Sequence, residues 1–238
     1  MDPRRVVFAD VEARRRFTRR LFDSSAPDYD RVDRLLAFGS GSWYRRQALL
    51  RAGLARGMRM LDVAVGTGLV AREAVDVVGA RGCVIGVDPS AGMLAQSDVH
   101  GLTLARGRAE ALPFAAASFD FLCLGYALRH LADLETAFRE FRRVLRPGGR
   151  LLLLEITRPE GRFAAALLKA YLHGVLPSLA QLVARSRDTP ALYRYYWDSI
   201  EACVPPAQIL AALGSAGLGG AAHQAQLGIF SEYSARAA

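Results

Sequence analysis

The stretch Met60-Leu61-Asp62-Val63-Ala64-Val65-Gly66-Thr67-Gly68-Leu69 sets an acid and a turn built on Gly66 and Gly68 between an apolar run and a helix-forming run. Glycines in such a turn let the backbone pass close to a ligand, and the N–H groups at the start of the following helix favour an electron-rich partner. A second apolar run, Cys83 to Val87, ends on Asp88, twenty positions after Gly68. At that spacing a carboxylate accepts hydrogen bonds from ribose hydroxyls. The two features together predict a nucleoside-type ligand at the carboxyl ends of two strands.

Elements of a definite kind must hold these residues in place. From Arg59 onward, β-rich apolar runs alternate with helical patterns: strand 59 to 65, helix 69 to 78, strand 83 to 87, helix 90 to 97, strand 102 to 106, strand 119 to 124, helix 133 to 145 and strand 150 to 156. Such alternation predicts a parallel sheet covered on both faces, with ligands at the strand ends. Helical patterns at 161 to 185 and 189 to 203, a helix 206 to 215 and a strand pair, 221 to 226 and 228 to 234, follow. Helices inserted before a closing antiparallel pair predict a cap over the sheet. Ahead of the sheet, apolar Val7, Phe8, Val11, Phe17 and Leu21 alternate with arginines in an amphipathic helix over 7 to 22. A break at 23 to 27, a helix 29 to 38, a Gly39-Ser40-Gly41 turn and a helix 43 to 54 complete the expected N-terminal segment.

Composition narrows the class. A chain of 238 residues accommodates one α/β domain. Within it, 1–57 is expected to form lid helices, 58–156 the binding core, 157–205 a helical cap and 206–238 the last helix and strand pair. The net charge is +8, but 30 of the 31 basic residues are arginines spread along the chain, with Lys169 the only lysine. No aromatic pair, zinc spacing or basic stripe accompanies the charge, so nucleic acid is not an expected partner. Cys83, Cys123 and Cys203 stand far apart in apolar runs and read as core thiols of a reducing compartment, with no metal-ligand set. Neither a signal segment nor a spanning run is legible, since Lys169, His173 and Pro177 interrupt the longest apolar stretch, 163 to 183. A cytoplasmic protein is expected.

Five motifs in order resemble the class I S-adenosylmethionine-dependent methyltransferases. They are Asp62 with Gly66-Thr67-Gly68; Asp88; Ala109-Glu110-Ala111-Leu112-Pro113-Phe114; Ser118-Phe119-Asp120; and Leu145-Arg146-Pro147-Gly148-Gly149-Arg150. The resemblance narrows to the ubiquinone/menaquinone C-methyltransferases through Phe22-Asp23-Ser24, Tyr29-Asp30, Leu61-Asp62-Val63-Ala64, Leu128-Arg129-His130, Leu154-Glu155-Ile156, Leu176-Pro177, Tyr193-Arg194-Tyr195 and Ser199-Ile200. It implies a doubly wound seven-stranded α/β sandwich, Rossmann-like, with N-terminal lid helices and a helical insertion before the last two strands.

The resemblance also implies roles. Asp62, Gly66, Thr67 and Gly68 would hold the methionine part of the cofactor, Asp88 the ribose and the 108–109 backbone the adenine. Gly125 would lie beneath the methyl group and Tyr29 would close over the cofactor. Arg108 stands where relatives usually offer Asp or Asn to the adenine amino group. A guanidinium has no acceptor, so that contact falls to the backbone at Ala109. For a phenol or hydroquinone acceptor, Arg129 would stabilise a phenolate and His130 would take the proton. Tyr193, Tyr195, Tyr196 and Trp197 are candidates to line an acceptor pocket, with core packing or a homodimer contact as alternatives.

Two departures stand out. The family closes on a Gly-Ile-Val-Ala-Leu-His-type segment where this chain has Gly228-Ile229-Phe230-Ser231-Glu232-Tyr233, and its Arg-Asn pair is Arg129-His130 here. The expected activity is methylation, at carbon or oxygen, of a small aromatic or quinone-like acceptor. The alternatives are a specialised-metabolite methyltransferase with another acceptor class and a cofactor-binding cyclase or scaffold without methyl transfer. A transient membrane-surface contact through 161 to 185, with Arg162, Arg185 and Arg187 at its ends, suits a lipid-soluble acceptor.

Overall fold

The structure, a computed structural model, describes residues 10–36, 40–178 and 189–238. Helices α1 (Val11–Leu36) and α2 (Gly41–Arg51) precede the sheet. Strands and helices then alternate: β1 (Arg59–Val63), α3 (Leu69–Val78), β2 (Cys83–Asp88), α4 (Ala91–Ala95), β3 (Leu102–Arg106), β4 (Phe119–Gly125), α5 (Leu134–Val144) and β5 (Leu145–Ile156). The cap contains α6 (Arg162–Ala170), a wider helical turn over Tyr171–Val175, and α7 (Thr189–Glu201). Helix α8 (Pro206–Ser215) and strands β6 (Leu218–Gln226) and β7 (Phe230–Ala237) end the chain.

The strand order is β3-β2-β1-β4-β5-β7-β6. The first five strands pair in parallel, and β7 runs antiparallel to both β5 and β6. The chain leaves β1 towards β3 and returns to β4 on the other side of β1, which opens a crevice between the carboxyl ends of β1 and β4. The period-2 alternation of the strands feeds two cores. Leu61, Val63, Leu122, Leu124, Leu151 and Leu153 pack with Phe138, Phe141 and Val144 of α5 and with Ile209 and Leu213 of α8. Met60, Phe121, Cys123, Leu152 and Leu154 pack on Ala48 and Leu49 of α2 and Ala71, Ala74 and Val78 of α3. A third cluster ties Leu21 of α1 to the cap through Leu172, Leu176, Leu192, Tyr196, Trp197 and Ile200.

The expected seven-stranded sandwich is present, and several boundaries differ from expectation. The predicted break at 23 to 27 is absent, because α1 continues through Pro27. A proline ring removes the hydrogen bond to the carbonyl four residues back. That carbonyl, Asp23 O, faces Gly92, where even a Cβ would lie only 2.9 Å from it. Close packing of α4 therefore occupies the place where the helix was expected to fail. The predicted helix at 43 to 54 runs over 41–51, and β1 stops two residues early because Ala64 turns to a left-handed φ of 54°. Strand β5 starts at Leu145 rather than at 150. The Arg146-Pro147-Gly148-Gly149 segment loops out between the pairs Phe119↔Leu145 and Phe121↔Arg150, with Gly148 at φ 76°. Residues 7 to 9 of the first predicted helix, and the part of the cap that includes Arg185 and Arg187, lie outside the described residues, as do the side chains of Tyr193 and Arg194. Among the described residues no helix is long and apolar enough to cross a membrane.

Candidate active site

Two cavities meet at the sheet crevice. One, of about 370 Å³, lies over the ends of β2 and β4 under α1 and is lined by Asp88, Ser90, Met93, Gly107, Arg108, Ala109 and His130. The other, of about 530 Å³, lies between α2, the cap and the β6–β7 turn and is lined by Asp33, Tyr44, Arg45, Asp62, Val65 and Phe230, among others. Tyr29, Ala64, Gly66, Gly125 and Tyr126 belong to both walls and so form the neck between them. Ala64 and Tyr126, at φ 54° and 59°, are two of the four non-glycine residues with left-handed backbone among those described. Strained conformations of this kind persist where the surroundings over-determine them and cluster at functional sites. At Gly125 a Cβ would come within 2.8 Å of Val70 Cγ2, so glycine lets β4 seat on α3 and keeps the neck wide.

The turn after β1 is more self-contained than its sequence implies. Gly66 donates its N–H to Asp88 Oδ2 at 2.9 Å, Gly68 donates to the Val65 carbonyl at 2.9 Å, and the Thr67 hydroxyl donates to Asp30 of α1. Two of the three turn N–H groups therefore face protein acceptors rather than an incoming ligand. Gly68, at φ 94°, also admits Val99 and Ser97, which a Cβ would meet at 2.8 and 3.1 Å. Val65 is fitted in by Gly86 of β2, where a Cβ would stand 2.7 Å from the valine.

Asp62 and Asp88 are buried carboxylates in different surroundings. Asp88 accepts the Gly66 N–H and, at Oδ1, the Ser90 N–H at 2.8 Å. Each oxygen keeps a further lone pair for a ligand hydroxyl. Burial pushes its pKa up to about 6 against those two hydrogen bonds, with Asp23 adding to the rise. Asp62 Oδ2 is fully buried and has no hydrogen-bond partner in the protein. Burial pushes this carboxyl up to about 8; the Ala71 backbone and the Arg45 guanidinium pull it down, while Asp88 raises it. A ligand cation at Oδ2 would resolve both the orphaned oxygen and the raised pKa.

Helix α1 closes the first cavity. Asp23 Oδ1 accepts from Ser90 Oγ at 2.6 Å and from the Gly92 N–H at 2.9 Å, Arg15 pairs with Glu110 at 3.1 Å, and Arg14 donates to the Arg129 carbonyl at 2.7 Å. Arg108 is half exposed, with its guanidinium 3.9 Å from Glu12, and Ala109 is buried in the wall. Tyr29, at the neck, receives a hydrogen bond from the Tyr196 hydroxyl at 3.1 Å.

Arg129 and His130 are adjacent in sequence but face different cavities. The Arg129 guanidinium is ion-paired with Glu155 and donates to Ser199 Oγ at 3.1 Å and to the Tyr126 carbonyl at 2.7 Å, while its backbone N–H reaches Glu155 Oε2 at 3.1 Å. His130 Nδ1 lies 3.1 Å from the Tyr195 hydroxyl, and the ring packs edge-on to Phe22. Its Nε2 is buried without a protein partner. Burial, then Arg129 and Arg14, hold its pKa well below the ordinary imidazole value, so it is neutral at pH 7. Of the predicted aromatic cluster, Tyr196 lines the larger cavity, Tyr195 serves His130, and Trp197 is buried in the cap core.

Sequence reasoning passed over Arg45, Asp33 and Glu232. Arg45 pairs with Asp33 at 2.6 Å, and its guanidinium carbon lies 5.8 Å from the centre of the Tyr126 ring. Glu232 accepts from the Tyr44 hydroxyl at 2.8 Å and from Arg51. Arg45 is legible in hindsight, since it falls three and four residues before Ala48 and Leu49 on the buried face of α2.

The chain matches the model of the ubiE/COQ5 methyltransferase family over residues 10–233. It is 40% identical over 192 residues to a ubiquinone/menaquinone biosynthesis C-methyltransferase of Syntrophotalea carbinolica, covering 78% of each chain. It is 34% identical over 197 residues to a demethylmenaquinone methyltransferase of a Mycobacterium species, covering 83% of each. Among solved structures, a methyltransferase from Thermotoga maritima shares the fold with a TM-score of 0.64 at 19% identity, over 92% of this chain and 99% of that one. A second, from Aquifex aeolicus, does so with a TM-score of 0.59 at 16% identity, over 82% and 89%.

Proposed function

The chain belongs to the ubiE/COQ5 methyltransferase family, and on that premise we propose that it transfers a methyl group from S-adenosylmethionine to a ring carbon of a small quinone-type aromatic acceptor. The observation that carries this reading is the pair of cavities joined at Gly125 and Tyr126: one is lined by Asp88, Gly107, Arg108 and Ala109, the other is walled mainly by apolar and aromatic side chains.

The residues present fit the cofactor. Asp62 Oδ2, buried and unpartnered, suits an α-ammonium. Asp88 has acceptor capacity for ribose hydroxyls beyond the two N–H groups it already holds. Ala109 at the wall of the smaller cavity suits the adenine edge, with the Arg108 side chain turned towards Glu12. When bound, the cofactor supplies an electrophilic methyl group on a sulfonium sulfur. The chain's part is alignment and exclusion of water, which can supply much of the acceleration of a displacement reaction. Gly125 keeps the neck open, and Val65, Val70, Ile229 and Phe230 furnish a dry wall.

Arg129 acts in this reading as a positioning residue, since it anchors the Tyr126 carbonyl and so holds the left-handed residue at the neck. His130 has a buried, unpartnered Nε2, and burial together with Arg129 and Arg14 disfavours its charged form. Calorimetric titration with S-adenosylhomocysteine tests the cofactor half, and the absence of saturable binding would sink the reading.

Two further observations bear on the acceptor. Leu227, Ile229 and Phe230 line the larger cavity, and they lie in or beside the segment where this sequence departs from the quinone enzymes. That supports a second reading, an acceptor of another aromatic class; turnover of a polyphenol but not of a prenylated hydroquinone would favour it. Trp43 and Leu227 are exposed on the cavity rim, and Phe163, Leu167 and Val175 are exposed in the segment that supplies Leu168 and Tyr171 to the wall. With Arg158, Arg162 and Lys169 also exposed beside them, this rim suits contact with an anionic lipid surface. Failure to co-sediment with anionic liposomes would remove that contact.

A further inference from the structure

An α-amino acid tail needs two counter-charges, and the structure offers an obvious one for the ammonium only. The turn after β1 is the expected holder of the methionine part, yet two of its three N–H groups, those of Gly66 and Gly68, are committed to Asp88 and Val65, and the Thr67 hydroxyl to Asp30. The buried Asp88 carboxylate beneath the same turn makes it a poorer place for a second anion.

Among the described residues, two arginines line the cavity that holds Asp62. Arg129 has its guanidinium committed to Glu155, Ser199 and the Tyr126 carbonyl. Arg45 differs. Its Nη2 donates to Asp33 at 2.6 Å, while its Nε is buried and has no partner. The side chain is only 7% exposed. It is close enough to Asp62 to draw that carboxyl down and close enough to Tyr126 to lie over its ring. A buried guanidinium N–H without an acceptor costs free energy comparable to a lost charged hydrogen bond, unless a ligand supplies the acceptor. Asp62 and Arg45 both line this cavity, and each carries one buried polar atom without a protein partner, a carboxylate oxygen and a guanidinium nitrogen, the complement of a zwitterion.

We infer that Arg45 holds the α-carboxylate of the cofactor's amino-acid tail while Asp62 holds its α-ammonium. The inference rests on the cofactor reading above. Asp33 fixes the guanidinium through Nη2 and leaves the Nε edge for the carboxylate, so Arg45 places the sulfur end of the tail relative to the neck at Gly125.

Calorimetry with S-adenosylmethionine and with its decarboxylated analogue, which keeps the ammonium and lacks the carboxylate, separates the outcomes. The wild-type chain should prefer the carboxylate-bearing ligand by about tenfold or more, the scale of a charge-assisted bond. Arg45→Gln should abolish that preference, weakening the carboxylate-bearing ligand at least tenfold more than the decarboxylated one, and Arg45→Lys should restore part of it. Equal weakening of both ligands would reduce Arg45 to a structural role. Unchanged affinity for both, with a raised KM for the acceptor, would move Arg45 to the acceptor, and either result overturns the inference. If Arg45→Gln does not fold, a wild-type chain that binds both ligands equally overturns it without a variant. Absence of binding to any adenosyl ligand would instead defeat the cofactor reading itself.

Discussion

The Gly66 N–H donates to Asp88 Oδ2 at 2.9 Å, which makes the turn that opens α3 and the acid that ends β2 a single unit. Asp88→Ala therefore removes a ribose acceptor and also releases the turn. Affinity for S-adenosylhomocysteine should fall by about 1.5 to 3 kcal/mol, the scale of hydrogen bonds to a charged group. Unchanged affinity in calorimetry would show that the ribose lies elsewhere.

Asp62 should link cofactor binding to pH. Its carboxyl, pushed from an ordinary 3.8 up to about 8 by burial, is largely protonated at pH 7 in the free chain. An ammonium at Oδ2 favours the ionised form, so binding should release a proton at pH 7 and strengthen as pH rises towards 8. Titration in two buffers of different ionisation enthalpy measures the proton, and Asp62→Asn should abolish its release. Stability follows the same sign. A carboxyl whose folded pKa is raised contributes stability that is fully present below about pH 4 and is lost as pH rises through its folded pKa. The thermal midpoint of the cofactor-free chain should accordingly fall as pH rises from about 6.5 to 8 and level off above that, a window that lies above the ordinary imidazole value of 6.5 from which His130 is lowered.

Arg129 and Glu155 are both almost fully buried, at 2% and 1% side-chain exposure. Removing one partner strands the other's charge, so Glu155→Ala should cost about 3 to 5 kcal/mol in urea unfolding. Replacing both by apolar residues of similar volume should recover most of that loss. Stability recovered without activity would support the positioning role of Arg129 through Tyr126, whereas full activity in the double variant would remove it.

Gly125→Ala places a methyl group 2.8 Å from Val70 Cγ2, at the neck. Turnover should drop while S-adenosylhomocysteine affinity changes little, and a companion Val70→Ala change should restore part of kcat. A large loss of cofactor affinity with kcat preserved would place Gly125 in the cofactor wall alone.

How much of this was legible in the sequence depended on how local each determinant is. The α3 and α8 boundaries agree with their periodic patterns because each helix buries a regular stripe, and β3, although no residue in it is buried, is delimited by its short run of β-forming residues. The Asp62, Asp88 and Ala109 positions follow from strand ends, which apolar runs mark clearly. Pro27 misled, because a proline is a local signal, whereas the packing of α1 at this point, the close approach of Gly92 to Asp23, comes from a residue 65 positions further on. The early end of β1 at Val63 depends on a left-handed alanine, which no alternation of apolar residues reveals. The surroundings of Arg45 and Arg129 were hidden for a related reason. Sequence shows that an arginine is present, while its availability depends on partners such as Asp33, Glu155 and Ser199 that are distant along the chain or on another element.

The most direct test of the central claim is to incubate the chain with S-adenosylmethionine labelled in its methyl carbon and a prenylated hydroquinone lacking one ring methyl, then locate the label by carbon NMR. C-methyl transfer through the Gly125 neck predicts a label bonded to a ring carbon, formed at a much lower rate by Asp88→Ala. Label on a ring oxygen, or cofactor bound without any labelled product, would contradict the account.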